Sequence, residues 1–531
     1  MPTDTCILTL DIGTSSTRAL IFDQKARPLP GCLAQIINHL QTTADGGAFF
    51  GAEQILKNTV AVIDQVLEKA GPVADRIGGV TMSTFVSNVM GASADGQAVT
   101  PIYTYADTRN APDAAQLRQE LGADGQQKAH DRTGCLVHTS YLPARFRWLQ
   151  RVEPSQLAQA DHWLSIGEYL LWRFTGRRLA SYSVASWTGL LDRRQLIWDP
   201  EWLRQLPLNA DQLSPLGDVD EPLVGLESAW AERWPALANV PWFPTIGDGA
   251  AANLGSGCGS LHPVEASSTD NKNDKSKDKA AARFLALTIG TTGAMRTVID
   301  ADLAAKTPTP DGLWLYRIDR QRALLGGATT EGGNLYAWLR QTLHLPEPAQ
   351  IEAALAGRTP DSHGLTILPF VAGERAPGWD DDARASLLGF TLNTAPLDIV
   401  QAGLEAIAHR FALIFERIQS SLPQDDAPLR IMASGGALLS SPVWMQMMAD
   451  SLGQPIVPLD EQEISARGLA VLGLEKLGVI GDAAELAPQT DPALAPQPAH
   501  HAIFQSARAR QVLIYNALKS ATGQNEKPFE E

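Results

Sequence analysis

Apolar runs and amphipathic stretches alternate along the first part of the chain and predict its secondary structure. Residues 6–12 (CILTLDI) form an apolar run that suits a buried strand, and residues 77–82 (IGGVTM) predict a second, shorter strand. Between Gln54 and Lys69, apolar residues recur at the spacing of one helix face, at Leu56, Val60, Ile63 and Leu67. Strands that alternate with helices in this way indicate an α/β fold.

The second half of the chain carries an equally regular pattern. A helix is predicted over residues 396–420, where apolar residues follow a 4-3-4-3-4 spacing at Val400, Leu404, Ile407, Phe411, Ile414 and Ile418. Residues 429–459 then predict a strand, a glycine-rich turn, a helix and a strand. Ser441 suits the N-cap of this helix, Pro442 its first position and Gly453 its end. The glycines follow the carboxyl end of a strand, where open sheets bind ligands.

One segment of the chain occurs twice. LTLDIGTSSTRALIFD (8–23) aligns without gaps to LALTIGTTGAMRTVID (285–300), 277 residues further on. This distance far exceeds a solenoid period, so the match predicts two similar domains with a boundary near residues 250–260. A chance likeness between two β-hairpins with Gly-Thr turns is the alternative.

Composition narrows the class of protein. The 531 residues are too many for one core, and their 44% hydrophobic and 19% charged content is typical of globular domains. The formal charge of −16 argues against nucleic-acid and anionic-membrane partners. Four scattered cysteines, no long apolar window and no basic leader in MPTDTCILTL predict a cytoplasmic protein without disulfides or zinc.

A charged segment follows the predicted domain boundary. Residues 267–280 (SSTDNKNDKSKDKA) contain no large apolar residue and many Asp, Lys, Asn and Ser. Such a segment buries too little surface to offset the entropy of ordering, so the sequence predicts a mobile surface loop.

Two hydroxyl-rich turns are candidate phosphate sites. In DIGTSSTR (11–18), backbone N–H groups and Ser/Thr hydroxyls follow an apolar strand, and such turns bind phosphate oxygens. Asp11 suits a Mg²⁺ ligand, and Arg18 suits a transferred phosphoryl group. The partner turn TIGTTG (288–293) carries Thr288 in place of the aspartate. A polar β-hairpin is the alternative for either turn alone.

A third glycine site and one aspartate complete the candidate chemistry. Gly435 and Gly436 allow the close backbone approach that an adenine or ribose needs, although a tight strand-to-helix connection is the alternative. Asp248 stands between two glycines in TIGDGAAANLGSG (245–257), where a base for a hydroxyl proton and a simple turn are both open. The chain has no Gly-Lys dipeptide and no HRD or DFG, so a P-loop and a protein kinase are excluded.

Taken in order, these motifs resemble those of the FGGY carbohydrate kinases over nearly the whole chain. The two turns are similar to the family's phosphate motifs, SGGALLSSPVWMQMMAD (434–450) to its adenosine motif, and GDGAAANLG (247–255) to the segment with its catalytic aspartate. TYADTR (104–109) resembles the family's sugar-site W-x-D-x-R element, with Tyr105 in place of Trp. FVAGERAPGWDDDAR (370–384) resembles the family signature region.

The resemblance implies an actin/hexokinase-like α/β fold, in which two similar ribonuclease-H-like lobes close on ATP and a sugar in the cleft between them. The N-terminal lobe would span residues 1–254 and the C-terminal lobe residues 255–531. Asp248 would be the catalytic base, and Asp11 would hold Mg²⁺. The residues implied to bind ATP are Asp11, Gly13, Thr14, Ser15, Ser16, Arg18, Gly290, Thr291, Thr292, Glu331, Gly332, Gly333, Asn334, Gly435, Gly436 and Ser440.

The resemblance also implies a small-molecule substrate. Its implied contacts are Ser83, Thr84, Asn88, Asp107, Arg109, His138 and Asp248. GERAP, GDGAAANLGSG and residues 133–149 look most like gluconokinase-type members, so gluconate is the first expectation, with Arg109 or His138 meeting its carboxylate. Asn88 departs from that type, which often carries His there. A pentulose kinase (xylulose or ribulose) and a catalytically silent sugar sensor are alternatives, and the oligomeric state, a homodimer among the options, stays open.

Overall fold

The computed structural model describes residues 4–259, 283–423 and 429–523 of the chain. The charged segment predicted as a loop at residues 267–280 lies outside these described residues. Within the described ranges, no helix is both long enough and apolar enough to cross a membrane.

The N-terminal sheet is built around the strand predicted at residues 6–12. Its strands in chain order are β1 (Cys6–Ile12), β2 (Ser16–Phe22), β3 (Pro28–Ile37), β4 (Ile77–Thr84), β5 (Leu223–Val224), β6 (Pro241–Trp242) and β7 (Ile246–Gly247). They lie in the order β5-β6-β4-β1-β2-β3, and β7 also pairs with β4. Strands β1, β2 and β3 are antiparallel neighbours, whereas β4 runs parallel to β1 and to both β6 and β7.

The C-terminal sheet repeats this plan. Its strands are β8 (Arg283–Ile289), β9 (Gly293–Asp300), β10 (Trp314–Arg317), β11 (Arg322–Thr329), β12 (Leu429–Ser434) and β13 (Ile456–Pro458). They lie in the order β10-β11-β9-β8-β12-β13, with β8, β9 and β11 antiparallel and β12 and β13 parallel to β8. Five strands follow the same order in both sheets, β6-β4-β1-β2-β3 and β13-β12-β8-β9-β11, whereas the edge strands β5 and β10 have no counterpart. This shared order confirms the predicted pair of similar α/β lobes and removes chance likeness as the explanation of the repeat.

The repeat differs from the ungapped alignment by one residue. In the first hairpin Asp11 lies opposite Arg18, whereas in the second Thr288 lies opposite Ala294. The second turn is therefore one residue shorter, and the alignment of Arg18 with Met295 is wrong after the turn. Ala294 occupies the place of Arg18, so the second hairpin carries no cation at that position.

Helices cover the two sheets and fill the segments between their strands. They are α1 (Ala52–Ala70), α2 (Ala111–Thr133), α3 (Leu142–Val152), α4 (Pro154–Gln159), α5 (Ile166–Thr175), α6 (Tyr182–Ser186), α7 (Pro200–Gln205), α8 (Ser228–Arg233), α9 (Asp248–Gly255), α10 (Ala301–Lys306), α11 (Gly333–Thr342), α12 (Pro348–Leu355), α13 (Pro396–Ser421), α14 (Gly436–Leu439), α15 (Pro442–Leu452), α16 (Ile464–Lys476) and α17 (Pro498–Gly523). Helix α2 is kinked at Gly122, which has non-helical backbone angles.

The predicted helices are confirmed with small shifts. The apolar face of α13 is buried at all six predicted positions. On α1, Leu56 and Ile63 are buried as predicted, whereas Val60 and Leu67 are only partly buried. Ile55, Val62 and Val66 complete the buried stripe of this helix. Ser441 caps α15 by accepting a hydrogen bond from the Trp444 N–H, and Gly453 ends that helix in the left-handed region.

Short strands and 3₁₀ turns complete the described structure. The strands are Gln41–Thr42, Ala48–Phe50, Met90–Ala92, Ile102–Tyr103, His162–Leu164, Ala180–Ser181, Leu191–Asp192, Ile197–Trp198, Leu216–Gly217, Thr366–Leu368 and Ser386–Leu388. The 3₁₀ turns are Gly71–Arg76, Ala210–Gln212, Pro235–Leu237 and Ala483–Glu485. Most of these elements lie in the N-terminal lobe, between the strands of its main sheet.

Helices α9 and α16 cross between the sheets, and each packs beyond its own lobe. A Cβ on Gly255 would lie 1.8 Å from the Ile464 carbonyl oxygen, and a Cβ on Gly468 would lie 1.8 Å from the Ala251 carbonyl oxygen. Beyond this crossing, α16 packs on strands β1 and β2 of the first sheet, and α9 packs against β10 and β11 of the second sheet. The predicted lobe boundary at residues 254 and 255 falls at the C-terminal end of α9.

Candidate functional site

A pocket lies between the two lobes, where β7 leads into α9 and where the β8–β9 hairpin turns. It encloses about 830 Å³, including its open mouth. Both lobes line it, through Val86, Tyr105, Ser183, Trp187, Gly247, Asp248, Gly249, Ala250, Thr288, Thr292, Gly293, Ala294, Arg296, Trp314, Tyr316, Arg317, Leu324, Ala328 and Arg375. Asp248 is the one carboxylate among these lining residues.

Asp248 is the first residue of α9 and lies half-buried in this pocket. Its Oδ1 accepts a hydrogen bond of 2.7 Å from the Gly249 N–H. Burial raises the pKa of the Asp248 carboxyl to about 6; the Arg296 guanidinium opposes this rise, and the Asp11 carboxylate adds to it. A carboxylate with such a pKa is ionised at neutral pH and still basic enough to accept a hydroxyl proton.

Two arginines face the pocket without a partner for their buried nitrogens. Arg296, on β9, leaves its Nη1 without a hydrogen bond, and Arg375 leaves its Nε without one. The guanidinium of Arg375 lies 5.5 Å from the Tyr105 ring centre and 5.8 Å from the Trp379 ring centre. Desolvation lowers the pKa of Arg296, while the Asp248 charge raises it. The pocket therefore combines one carboxylate with incompletely bonded cations.

Aromatic side chains form the remaining walls. Trp314 and Tyr316 stack with their ring centres 4.4 Å apart and their planes at 3°. The Tyr316 hydroxyl lies 2.6 Å from that of Tyr141, which joins the two lobes at the rim of the pocket. Burial raises the pKa of the Tyr105 hydroxyl, so this ring stays neutral at physiological pH. Flat apolar walls with a few polar groups are typical of small-molecule sites.

The first glycine turn lies beside Asp248. Asp11 accepts a 2.7 Å hydrogen bond from the Ser83 Oγ, and burial raises the pKa of its carboxyl. Arg18, directly opposite Asp11 on β2, donates from Nη1 to Glu463 at 2.8 Å and from Nε to the Ser16 Oγ at 3.1 Å. The structure thus brings Asp11, Arg18 and Asp248 to one edge of the cleft.

Three glycine turns meet at the opposite edge, in the C-terminal lobe. The Gly333 N–H donates to the Gly290 carbonyl at 2.8 Å, and a Cβ on Gly333 would lie 2.8 Å from Ala437. Positions 290 and 436 have open space in front of their Cα atoms. Thr291, Thr292 and Ser440 are exposed there, which leaves hydroxyls and backbone N–H groups accessible to an anion.

The TEGGN segment (330–334) supports these turns by backbone hydrogen bonds to Gly290 and Thr291. Glu331 is 2% exposed, accepts a 2.8 Å hydrogen bond from the Thr330 Oγ1, and has a pKa raised to about 7 by burial. The Asn334 side chain accepts from the Gly332 N–H at 2.9 Å and donates to the Thr330 carbonyl. These contacts direct both side chains into the protein, so this segment offers mainly its backbone to a ligand.

The carboxylates at the cleft fit a Mg²⁺ ion that arrives with a nucleotide. Asp11 raises the pKa of Asp248, so the two negative charges lie close enough to repel each other. No group of three or more His, Cys, Asp or Glu in the described part of the chain is arranged to hold a metal by itself. One or two carboxylates completed by phosphates and water are the usual protein contribution to Mg²⁺ binding.

Several sugar contacts implied by the resemblance lie outside the pocket lining. Asp107 is fully buried and pairs with Arg109 at 2.6 Å, while the Arg109 guanidinium lies 4.6 Å from the Trp148 ring centre. His138 is buried beside Asp381, with 2.8 Å between Nε2 and Oδ1. Asn88 donates to the Phe85 carbonyl and accepts from the Ile166 N–H.

Two further implied sugar contacts, Ser83 and Thr84, lie near the first glycine turn. Ser83 is fully buried and bonds Asp11, as described above, and Thr84 is fully buried with no partner for its hydroxyl. Of the implied sugar contacts, Asp248 therefore lines the pocket directly. Ser83 does not line the pocket, but it bonds Asp11, whose charge raises the pKa of the Asp248 carboxyl.

Sequence reasoning missed the arginines of the pocket and, apart from Tyr105, its aromatic residues. Arg375 could have been identified from the sequence, because it lies in the GERAP element that carries the family resemblance. Arg296 gave a weaker signal as a charged residue inside the β9 strand, on the same strand face as Ala294. Trp187, Trp314 and Tyr316 gave none, since large aromatics in strands and helices are usually core residues.

Comparison with known proteins identifies the family of this chain. The chain matches the FGGY family of carbohydrate kinases, through the N-terminal domain model over residues 6–255 and the C-terminal domain model over residues 285–475. It is 27% identical over 494 residues to the gluconokinase of Bacillus subtilis, covering 89% of this chain and 88% of that one. It is 28% identical over 498 residues to the glycerol kinase of Rhodospirillum centenum, covering 90% and 91%.

Solved structures agree on the fold. A gluconate kinase from Lactobacillus acidophilus superposes with a TM-score of 0.83 at 24% identity, covering 98% of this chain and 100% of that one. A xylulose kinase from the same organism gives a TM-score of 0.84 at 24% identity, covering 98% and 99%. At this identity the two structures establish the fold alone. The two domain models match well over half of the chain and show that it belongs to the FGGY family of carbohydrate kinases and is an ATP-dependent sugar kinase.

Proposed function

We propose that this kinase transfers the γ-phosphoryl group of ATP to a hydroxyl of an open-chain sugar acid, with gluconate as the first candidate. The observation that carries the proposal is the position of Asp248, the one carboxylate lining an interlobe pocket whose other charged lining residues are arginines. The pocket is thereby suited to a substrate that combines a reactive hydroxyl with a negative charge.

Asp248 would act on the hydroxyl. Its ionised carboxylate accepts a hydrogen bond from the hydroxyl, orients the oxygen and takes the proton as the new oxygen–phosphorus bond forms. The bond between the γ-phosphorus and its bridging oxygen breaks, and ADP leaves with that electron pair. Gly249 holds the carboxylate by its N–H, so the base is already oriented before the substrate arrives.

The glycine turns would hold the nucleotide on both sides of the transferred group. Gly13, Thr14, Ser15 and Ser16 offer N–H and hydroxyl donors from one lobe, while Gly290, Thr291 and Thr292 offer them from the other. Gly435, Gly436 and Ser440 lie where the adenosine would sit. Asp11 is the residue best placed to hold Mg²⁺, which would neutralise phosphate charge when bound.

The substrate assignment draws on the relatives and on the pocket. Gluconokinases are among the curated proteins that the chain resembles, and glycerol kinases are among them too. The unpartnered nitrogens of Arg296 and Arg375 favour an anionic substrate over a neutral polyol or pentulose. Xylulose and ribulose are therefore the second choice.

A panel assay with an active-site variant tests this function. ATP with Mg²⁺ is offered with gluconate, xylulose, ribulose and glycerol, and ADP release is measured. We expect turnover with gluconate, and we expect Asp248→Asn to lower kcat by about 10²- to 10⁴-fold, because the general base is lost. Asp220→Asn, an exposed carboxylate in the same lobe, is the control. Near-normal turnover of Asp248→Asn would remove Asp248 from the mechanism, and turnover with xylulose alone would replace the substrate.

A further inference from the structure

Two cations in the sugar pocket have no role in the proposed transfer of the phosphoryl group. In the part of the chain that the structure describes, neither Arg296 nor Arg375 forms an ion pair or a side-chain hydrogen bond, and each leaves a buried nitrogen unsatisfied. A buried donor without a partner is costly, so such a pair is best explained by a ligand that completes it. We propose that Arg375, assisted by Arg296, binds the carboxylate of the sugar acid and determines specificity for that substrate class.

Arg375 is held rigidly for this task. Its guanidinium carbon lies 5.5 Å from the Tyr105 ring centre, in one lobe, and 5.8 Å from the Trp379 ring centre, in its own loop. The neighbouring Glu374 anchors the loop, because it pairs with Arg410, accepts a 3.0 Å hydrogen bond from the Gly378 N–H and accepts 2.6 Å from the Tyr515 hydroxyl. A guanidinium that is flanked by aromatic rings in an anchored loop loses less entropy when its donor fork binds a carboxylate.

Arg296 lies nearer to the reacting hydroxyl. Its Nε is 3.3 Å from the position that a Cβ on Gly249 would take, directly beside Asp248. It is therefore placed to contact substrate between the base and Arg375. The Arg375 charge also acts on the Asp248 carboxyl and opposes the rise of its pKa, so the two residues lie close enough for one sugar acid to contact both.

The arginine expected from the sequence is less suited to this role. Arg109 is neutralised by Asp107 through Nη2 at 2.6 Å and Nε at 3.1 Å, and it does not line the pocket. His138 is occupied by Asp381. The nucleotide has its own donors in the glycine turns and in Arg18, on the other side of Asp248. This leaves Arg375 free to discriminate between sugars.

The test compares gluconate with glucitol, its neutral analogue that carries a hydroxymethyl group in place of the carboxylate. Binding is followed by intrinsic tryptophan fluorescence, since Trp187 and Trp314 line the pocket, and turnover is followed by ADP release. The variants are Arg375→Gln, Arg296→Gln and, as a matched control, Arg109→Gln. Circular dichroism checks that each variant is folded.

We expect the wild type to bind gluconate more tightly than glucitol. Arg375→Gln should weaken gluconate binding about 10- to 100-fold, the value of a charge-assisted hydrogen bond, and leave glucitol binding and the KM for ATP unchanged. Arg296→Gln should show the same direction with a smaller loss of preference, and Arg109→Gln should keep the preference.

Three results would overturn the inference. They are a wild type without preference between the two ligands, an Arg375→Gln variant that retains the preference, and an Arg375→Gln variant whose defect lies in the KM for ATP. This inference rests on the proposed sugar-acid kinase, yet the two fail separately. Binding is read without turnover, and phosphorylation of a neutral sugar by the wild type would leave the kinase intact while removing the carboxylate site.

Discussion

At the scale of single residues, the proposed base Asp248 also lowers the stability of the fold. Asp248 is half-buried, and desolvation raises the pKa of its carboxyl from 3.8 to about 6. The folded state therefore binds this proton more tightly than the unfolded chain does. Keeping the carboxylate ionised at neutral pH costs free energy of folding that an uncharged side chain would not require.

This cost predicts a stabilised but inactive variant. Because the pKa is raised in the folded state, Asp248 destabilises the fold increasingly from about pH 4 to pH 6 and by a constant amount above pH 6. Asp248→Asn should thus increase the free energy of unfolding by about 1–3 kcal/mol at pH 8 and by little at pH 4. Denaturant unfolding at the two pH values measures the difference. Asp220→Asn serves as the surface control, and an equal effect at both pH values would contradict the argument.

Residue roles could be predicted only where a motif carries them. Asp248, Asp11 and the glycines stand in short ordered patterns that resemble a family, and the structure gathers them around one cleft. Arg296 and Arg375 differ, because their significance lies in the partners they lack. A sequence gives the position of an arginine, but it does not show whether a carboxylate such as Asp107 already neutralises it.

At the scale of elements, the crossing of α9 and α16 connects the base to the phosphate edge. Helix α9 begins at Asp248, and Glu463 immediately precedes α16 and pairs with Arg18. The two helices touch through backbone at Gly255 and Gly468, where no side chain intervenes. A shift of one helix must therefore displace the other.

The glycine contact predicts an unusually costly methyl group. A Cβ at residue 468 would lie 1.8 Å from the Ala251 carbonyl oxygen, so Gly468→Ala should push α9 away from α16. We expect a loss of roughly 2–4 kcal/mol in the free energy of unfolding, together with a fall in kcat as Asp248 moves. Thermal unfolding and ADP release measure the two effects.

The matched control is Gly357→Ala, since no atom lies within 4 Å of a Cβ at residue 357. If both variants behave alike, the crossing is looser than described.

Individual strands and helices could be predicted from the sequence, whereas the way they pair and pack was harder to predict. Strand β1 and helices α13 and α15 follow from apolar spacing and caps, because burial imposes a period on the sequence. The one-residue slip between the hairpins was hidden, since Gly, Ser and Thr in both turns align equally well in either register. The packing of α9 and α16 on the sheets of the opposite lobes was also hidden. The spacing of apolar residues shows that a helix has an apolar face but not which sheet covers it.

At the scale of the whole molecule, the lobes share one pocket and are bonded along its rim. Strand β10 donates from the Leu315 N–H to the Gly134 carbonyl at 3.0 Å, and the Leu313 carbonyl lies 2.7 Å from His130 Nε2. A molecule with a net charge of −16 nevertheless places its pocket arginines where an anion would enter. Local charge, not net charge, therefore governs which substrates fit.

A ligand held by both lobes should stabilise them together. Asp248 belongs to the N-terminal lobe and Arg375 to the C-terminal lobe, so gluconate, the proposed substrate, would favour the assembled state by binding between them. At about 100 times its Kd we expect roughly 2.7 kcal/mol of added stability, seen as a higher melting temperature of a single calorimetric transition. Two separate transitions, of which gluconate moves only one, would show that the sugar binds one lobe alone.

The packing of α9 and α16 on the sheets of the opposite lobes also limits how the two lobes can move relative to each other. Because α16 completes the core under β1 and β2, and α9 completes the core under β10 and β11, pulling the lobes apart would expose both cores at once. Rotation about the point where Gly255 meets Gly468 exposes neither. We therefore expect opening and closing of the cleft to be a twist around that point. It lies one short helix away from Asp248, so the proposed base should move little as the cleft closes.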